Sequence, residues 1–376
     1  MKVIMVAPLV ARLVEGEPPI GGAQALLMDL CSGLAGRGHT ITLIAPEGSV
    51  VAGAQVESLG LRAETFAAAR FEPEAPQADL EVQREAFQRV ADWLRRNAEP
   101  GQVIHAHAYD APAFELLRHL PAPVCHTLHL PPVHAAVARA VAAAAPRVTL
   151  STVSEYNAGL WRAAGVPVHT VIPNGAAIPT APVQPPAEPP FVLFAGRVTP
   201  EKGPDLALDW AAAASLPLVL VGGVYDREFY ESAIAGRVVQ APGWQPGEPL
   251  PGPAVALGPR PRPAVAALMA RASAVLMPAR WDEPFGLVAI EAQAAGCPVV
   301  AIARGGLAET IDDGRTGRLL ASPDPAEAAL AIRQAITYSR AACRAWVERR
   351  YSLKSMLDTY EQWHASSMSG GGEGIL

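Results

Sequence analysis

Two glutamates, Glu283 and Glu291, lie eight positions apart in residues 278–304, the stretch of the chain that is richest in candidate chemistry. An apolar run ends at Pro278, and a proline there stops a buried strand and places Glu283 in the loop that follows. From about Gly286 the apolar residues recur at helical spacing, which predicts a helix that carries Glu291. The two carboxylates are therefore expected before and inside the same helix.

The beginning of that helix is a predicted phosphate site. The first N–H groups of a helix lack intrahelical partners, and the helix dipole favours an anion there. Here these groups belong to Phe285, Gly286 and Leu287. At about 1.5 Å per residue, Glu291 lies about 7–8 Å further along the helix than Gly286. A ligand with a diphosphate at the helix tip would therefore meet Glu283 at one end and Glu291 at the other.

A nucleotide sugar has that shape, because a pyrophosphate joins its sugar to a ribose and a base. Ionised carboxylates only accept hydrogen bonds and suit pairs of hydroxyl groups, so we expect Glu283 to bind the sugar and Glu291 the ribose. Taken alone, the pair is also compatible with two solvated glutamates.

A second group of candidate residues is cationic. Gly196, Arg197, Lys202 and Gly203 lie in a loop that follows a predicted strand, Phe191–Ala195. Arginine offers a planar fork of donors and lysine a movable point charge, and both neutralise phosphates. Two solvated surface cations are the alternative.

Histidines follow two predicted strands of the first half of the chain. Strand Gln102–Ala106 leads to His107, Tyr109 and Asp110, and the next strand leads to His129. Open α/β sheets bind their ligands at the carboxyl ends of the strands, so these side chains are expected at one edge of a sheet. A single histidine is more often structural than catalytic, but two groups at equivalent strand ends favour a binding cleft.

The first elements predict a β-α-β start, with strand Lys2–Ala7, helix Gly22–Arg37 and strand Thr40–Ala45. The loop before that helix contains Gly21 and Gly22. Glycine pairs are ordinary turn residues, so the pair alone is weak evidence for a site.

The composition limits the class of protein. With 376 residues, of which 50% are hydrophobic and 18% charged, the chain can form two ordinary cores. Its apolar runs are too short or too interrupted to span a membrane, and the first strand is too short for a secretory signal, so we expect a cytoplasmic protein without stable membrane insertion. A formal net charge of −6 argues against nucleic-acid binding. The four cysteines are scattered and do not suggest a zinc cluster.

The segments EPFGLVAIEA (residues 283–292) and GCPVV (296–300) resemble the signature of the retaining glycosyltransferases of family four. That resemblance extends over nearly the whole chain, and it implies an α/β protein with the GT-B fold, in which two Rossmann-like parallel-sheet domains face each other across a cleft. We expect an acceptor-binding domain over 1–178, a proline-rich linker over 179–190, a nucleotide-sugar-binding domain over 191–350, a helix over 351–365 that returns to the first domain, and a flexible tail over 366–376.

The resemblance also implies roles for individual residues. The catalytic group comprises His129, which lies against the transferred sugar, and Glu283, Arg197 and Lys202. The residues expected to bind the donor are Gly22, Gly196, Arg197, Lys202, Gly258, Glu283, Phe285, Gly286, Leu287 and Glu291. Those expected to face the acceptor are His107, Tyr109 and Asp110.

The expected reaction moves a hexose from a UDP- or GDP-sugar to a hydroxyl of a small-molecule, natural-product or lipid acceptor. The resemblance implies retention of the anomeric configuration by a front-face route. The sequence contains no Asp-x-Asp triplet, so we expect neither a metal nor another cofactor. A glycosidase would need a close pair of carboxylates around the bond, whereas Glu283 and Glu291 are expected at different parts of one donor. A nucleotide-sugar epimerase on the same fold and a non-catalytic sugar-nucleotide-binding module remain alternatives.

Overall fold

The computed structural model describes residues 1–17, 21–63 and 77–369, which form two compact units. The first domain contains residues 1–15, the described residues up to Pro173, and the chain from Met356 onward. The second domain contains residues 16–17 and 174–355. The units thus separate at Pro173, five residues before the predicted end of the first domain.

The first domain is built on a parallel sheet whose strands are buried on both faces by helices, and the strands are accordingly rich in Val, Ile and Leu. Its strands are β1 (Lys2–Val6), β2 (Thr40–Ile44), β3 (Ala54–Glu57), β4 (Gln102–Ala106), β5 (Val124–Leu128), β6 (Thr149–Thr152) and β7 (Thr170–Val171). The helices that alternate with them are α1 (Gly22–Gly36), α2 (Gln77–Asn97), α3 (Ala111–Leu117), α4 (Ala135–Ala144) and α5 (Glu155–Ala163).

The second domain repeats this alternation. Its strands are β8 (Val192–Ala195), β9 (Leu218–Val221), β10 (Val239–Gln240), β11 (Ala254–Gly258), β12 (Ala274–Met277), β13 (Val299–Ile302) and β14 (Gly317–Leu320). Its helices are α6 (Pro204–Ala214), α7 (Arg227–Phe229), α8 (Arg262–Arg271), α9 (Leu287–Ala294), α10 (Leu307–Thr310), α11 (Pro325–Ala335) and α12 (Arg340–Arg350). The last helix, α13 (Leu353–Met368), begins in the second domain and continues in the first.

The strand order in each sheet marks where a ligand is expected. In the described residues the first sheet has the order β3-β2-β1-β4-β5-β6-β7 and the second β10-β11-β9-β8-β12-β13-β14, with all paired strands parallel. The order reverses between β1 and β4 in the first sheet and between β8 and β12 in the second. Doubly wound sheets bind ligands at such switch points, outside the carboxyl ends of the strands. The loops after β8 and β12 contain Lys202 and Glu283.

The segment over 179–190 is the predicted proline-rich linker. Its Ala187 is fully buried in the second core, beside Phe191, and the Ala187 N–H donates to the carbonyl of Arg271 at 2.8 Å. The prolines stiffen the segment, but this apolar contact and this hydrogen bond attach it to the second domain.

Two further elements differ from the sequence predictions. Strand β3 was not expected, because residues 47–80 show little pattern and an edge strand of four residues gives a weak signal. Helix α13 extends to Met368, beyond the predicted end at 365, while residues 370–376 of the expected tail lie outside the described residues. In the described part of the chain, no helix is both long and apolar enough to cross a membrane.

We predict that Gly222→Ala destabilises the second domain. Gly222 follows β9 with φ +152°, and a Cβ there would lie 1.7 Å from the carbonyl oxygen of Gly196. Because a backbone atom has little room to yield, we expect a loss of about 1–3 kcal/mol in unfolding free energy, measured by urea titration. Gly236→Ala is the control, since its Cβ meets no described atom within 4 Å. Equal stability of the two variants would contradict the prediction.

Candidate active site

The loops after β8 and β12 pack directly against each other in the second domain. Gly203 has φ +69°, and a Cβ at this residue would lie 2.3 Å from the carbonyl oxygen of Pro278. A third loop closes on the second, because a Cβ on Gly305 would lie 2.1 Å from the carbonyl oxygen of Glu283. Glycine is required at both contacts by the absence of space and by the positive φ. These contacts fix the backbone around Glu283.

Arg280 joins the same two loops through hydrogen bonds. Its guanidinium donates to both carboxylate oxygens of Asp205, at 2.8 and 2.5 Å, and to the carbonyl of Pro200 at 2.8 Å. Its backbone N–H donates to the carbonyl of Glu201 at 2.8 Å. A bidentate arginine–carboxylate pair restricts orientation as well as distance. The short turn Pro200–Lys202 is therefore held at a fixed position relative to the loop after β12.

Lys202 and Glu283 form an ion pair between Nζ and Oε1, with side chains that are 20% and 11% exposed. The Lys202 ammonium also lies 4.7 Å from the centre of the Trp281 ring, in a cation–π arrangement. Two residues predicted from separate motifs, 81 positions apart, thus meet directly.

Arg197 lies in the same loop but has other partners. Its Nη2 is 3.4 Å from Glu201 Oε1, and its guanidinium lies 5.8 Å from the centre of the Tyr225 ring. Gly196, next to it, donates its N–H to the carbonyl of Val221 at 3.0 Å. The loop thus carries one cation, Arg197, before its short turn and the other, Lys202, at the end of that turn.

The start of helix α9 has the geometry expected of an anion site. Gly286 precedes the helix with φ +97°, and a Cβ there would lie 2.5 Å from the Leu307 side chain. Phe285 is 3% exposed, so its ring anchors the loop in the core, while Leu287 opens the helix. The N–H groups of the first turn of such a helix have no intrahelical acceptor.

Glu291 lies on α9 and pairs with a residue that the sequence did not single out. Arg262 Nη2 is 3.0 Å from Glu291 Oε1, which links the start of α8 to α9. The predicted donor-binding residue Gly258 ends β11 with φ +71°, and its carbonyl accepts the Gly222 N–H at 3.1 Å. The structure thus places Gly258 beside the glycine-rich loop after β9.

In the first domain the two histidine groups meet at the sheet edge. His107 Nδ1 and His129 Nε2 are 2.9 Å apart, and their rings stack with centres 5.1 Å apart. His107 is 1% exposed, whereas His129 is partly exposed. Burial lowers the pKa of His129 to about 4 and that of His107 well below its usual value. Both rings are therefore neutral at pH 7. Contact between His107 and an acceptor stays a prediction.

The other predicted first-domain residues lie nearby along the chain. The Tyr109 hydroxyl donates to the carbonyl of Pro131, and burial raises the pKa of Tyr109 to about 12. Burial raises the pKa of Asp110 to about 6, and the Asp110 backbone carbonyl accepts the N–H of Ala113 at 3.0 Å. Gly22 is the first residue of α1.

Sequence reasoning missed Trp281, Arg280 and Arg262. Trp281 and Arg280 lie just before Glu283, and their roles follow from contacts with the distant loop over 196–205, which no local pattern reveals. Arg262 offered a signal, because a cation at the first turn of a helix opposes the helix dipole and so suggests another partner. Among the described residues, no group of three His, Cys, Asp or Glu side chains is arranged to hold a metal ion.

Two family models and several known proteins match this chain. The family model described as Glycosyltransferase Family 4 matches residues 20–178, and the model described as Glycosyl transferases group 1 matches residues 254–352. The D-inositol 3-phosphate glycosyltransferase of Frankia alni is 31% identical over 285 residues, which cover 63% of this chain and 67% of that protein. The chain belongs to glycosyltransferase family 4.

Other members of the family match over shorter stretches. The D-inositol 3-phosphate glycosyltransferase of Mycolicibacterium paratuberculosis is 39% identical over 137 residues, and the match spans 36% of this chain but only 29% of that protein. Among solved structures, the Anabaena protein HepE in complex with UDP-glucose superposes with a TM-score of 0.68 at 21% identity, covering 97% of this chain and all of HepE. The predicted GT-B fold, with two Rossmann-like parallel-sheet domains, is confirmed.

The buried histidines predict that the first domain loses stability in acid. Burial lowers the pKa of His126 to about 3, below the value for an unfolded chain, so the unfolded state binds the extra proton first. Stability is complete above the unfolded pKa and falls as the pH drops towards the folded value. At pH 5 His126 lowers the free energy of unfolding by about 2 kcal/mol relative to pH 8.

His126→Leu tests this expectation. Both His126 nitrogens lack a hydrogen-bond partner within the described residues, and its ring stacks on Phe114, so leucine removes a titrating group without breaking a bond. Urea unfolding at pH 8 and pH 5 should show a smaller loss for the variant. An identical loss in variant and wild type would refute the assignment of His126 as a buried neutral histidine.

Proposed function

We propose that this chain is a glycosyltransferase that moves a hexose from a nucleotide diphosphate sugar to an acceptor hydroxyl. The donor is a UDP- or GDP-sugar, and the acceptor is a small molecule, natural product or lipid that offers the hydroxyl. Membership of family 4 and the likeness to HepE, solved in complex with UDP-glucose, support the donor class.

One observation carries the proposal: the Lys202–Glu283 ion pair lies at the switch point of the second sheet, in the loop that leads to the α9 N-terminus. A nucleotide sugar needs an anion site for its diphosphate and acceptors for its hydroxyls. Lys202, Arg197 and the first N–H groups of α9 supply the former. Glu283 supplies acceptors for the sugar, and Glu291, further along α9, supplies them for the ribose.

In the proposed step the acceptor oxygen bonds to the anomeric carbon while the bond from that carbon to the diphosphate oxygen breaks. The electron pair of the broken bond stays with the diphosphate, and the acceptor proton passes to the leaving phosphate oxygen. Positive charge grows on the sugar and negative charge on the leaving group, so the loop cations stabilise the transition state more than the ground state.

A front-face route with retention and no metal is part of the proposal. It is supported by the family, whose members this sequence resembles at the motif over 283–300, and by the presence of Arg197 and Lys202 as counter-charges in the loop after β8. We assign His129 to the sugar and His107, Tyr109 and Asp110 to the acceptor side.

Nucleotide release from a panel of UDP-, GDP- and ADP-sugars, measured with and without candidate acceptors, tests the function. A transferase releases the nucleoside diphosphate only when an acceptor is converted. An epimerase converts the donor without an acceptor, and a binding module leaves it unchanged. Either of the last two results would overturn the proposal.

We predict that Lys202→Met and Glu283→Gln each lower kcat by about 100-fold or more, since each removes a group that meets charge developing in the transition state. Each variant also leaves its partner unpaired, so folding is checked by circular dichroism and thermal unfolding. The control is Lys354→Met, on the exposed side of α13. Unchanged turnover in both folded site variants would contradict the donor-site assignment.

A separate prediction concerns Glu291. If this carboxylate binds the ribose hydroxyls, wild-type protein should bind UDP or GDP more tightly than the 2′-deoxy form, by about tenfold for the loss of a hydrogen bond to a charged group. Glu291→Ala should remove most of that preference, as measured by calorimetric titration of the two nucleotides. A preference that persists in the variant would show that another residue recognises the ribose.

A further inference from the structure

Four histidines of the first domain form a continuous stack of contacts, which we call the histidine ladder: His129, His107, His105 and His364. His129 Nε2 is 2.9 Å from His107 Nδ1, and the rings of His107 and His105 lie 4.1 Å apart. His105 Nδ1 is 3.0 Å from His364 Nε2 on helix α13. His129 is partly exposed, whereas the other three are 0–1% exposed. The ladder thus runs from the edge of the first sheet to the last helix.

The hydrogen bonds constrain the protonation of each ring. A neutral imidazole has one N–H and one lone pair, so a bond between two rings requires a proton on one nitrogen only. If His107 Nδ1–H donates to His129 Nε2, His129 must carry its own proton on Nδ1. If His129 Nε2–H donates, its Nδ1 is an acceptor. The state of His107 therefore decides whether Nδ1 of His129 donates or accepts a hydrogen bond.

Further contacts fix the buried end of the ladder. His105 Nε2 is 2.8 Å from Thr127 Oγ1, which is in turn 2.9 Å from Ser151 Oγ. Tyr360 and Trp363 of α13 pack on the His105 ring, with centres 5.4 and 5.3 Å away. With both of its nitrogens engaged, His105 has little freedom to rotate.

Helix α13 is itself attached to the first domain at its surface. Asp358 and Glu361 each accept a hydrogen bond from Arg37 Nη1 at 2.8 Å, and Glu361 Oε1 is 2.7 Å from His39 Nε2. The position of His364 therefore follows from the seating of the whole helix.

We propose that His107 and His364 are positioning residues for His129. His107 sets the tautomer and ring plane of His129 directly, and His364 acts on it through His105 and the ring contact below His107. The inference rests on the proposed function in one respect, that His129 contacts the transferred sugar. The C-terminal helix thereby takes part in the geometry of the first-domain site.

The nitrogen that each histidine uses for its hydrogen bond determines which substitution should replace it best. His107 uses Nδ1, whose position asparagine reproduces with its amide, whereas His364 uses Nε2, whose position glutamine reproduces. We expect kcat to be about tenfold higher in His107→Asn than in His107→Gln, and about tenfold higher in His364→Gln than in His364→Asn, as when a group that orients a catalytic histidine is altered. The KM for the donor should change by no more than about twofold in all four variants, which corresponds to about 0.4 kcal/mol.

His126 provides the matched control. It lies on β5, is fully buried and has no hydrogen-bond partner for either nitrogen within the described residues. It is outside the ladder, so His126→Asn and His126→Gln should leave kcat unchanged apart from any loss of folded protein. Loss of activity that follows thermal stability alone, without the opposite preference for asparagine and glutamine at 107 and 364, would overturn the proposal.

A measurement that needs no turnover separates this inference from the proposed function. Long-range ¹⁵N–¹H spectra of the full chain report the tautomer of each histidine. We expect one neutral tautomer of His129 in wild type and in His107→Asn, and a mixture in His107→Gln. Absence of turnover with every donor would refute the transferase alone, whereas a His129 tautomer that is indifferent to all His107 variants would refute the ladder alone.

Discussion

The candidate donor site depends on the close packing of two loops, those that follow β8 and β12. Gly203 allows the first loop to touch the backbone at Pro278, and Arg280 ties the second to Asp205. These contacts involve backbone atoms and a bidentate pair, so they fix direction as well as distance. The ion pair of Lys202 with Glu283 is a result of this packing, because residues 81 positions apart meet only where the loops do.

The ion pair of Lys202 with Glu283 also explains how two charged side chains are tolerated in a largely buried position. Glu283 is buried, and a carboxylate without a partner there would cost several kcal/mol by desolvation, roughly in line with other buried ions. Lys202 compensates the charge, and Trp281 provides a second favourable surface for the ammonium. A diphosphate that attracts Lys202 would leave Glu283 available to hydroxyl groups. One contact can thus serve both the free and the occupied site.

Much of the fold followed from the sequence, because its signals are local. Buried parallel strands appear as apolar runs, and caps such as Ser154, whose hydroxyl accepts the Asn157 N–H at 3.0 Å, mark helix starts. The candidate donor-side residues were predicted for a similar reason: glycines, cations and carboxylates follow strand ends. Strand β3 escaped notice since a short edge strand needs little apolar pattern. Trp281, Arg262 and His364 were missed because their partners lie 29 to 259 positions away, and only the packed structure brings them together.

The two domains place polar groups at the edge of a sheet in different ways. The second uses compensated charges, whose attraction orients each partner but which a charged ligand can replace. The first uses neutral imidazoles, because desolvation opposes a proton on any buried ring and each ring next to another adds repulsion. A neutral imidazole nitrogen can either donate or accept a hydrogen bond, and the ring carries no net charge. Such a choice suits a sugar, whose hydroxyls both donate and accept, whereas compensated cations suit a diphosphate. The chemistry expected of each domain therefore agrees with the kind of polar network that its core can support.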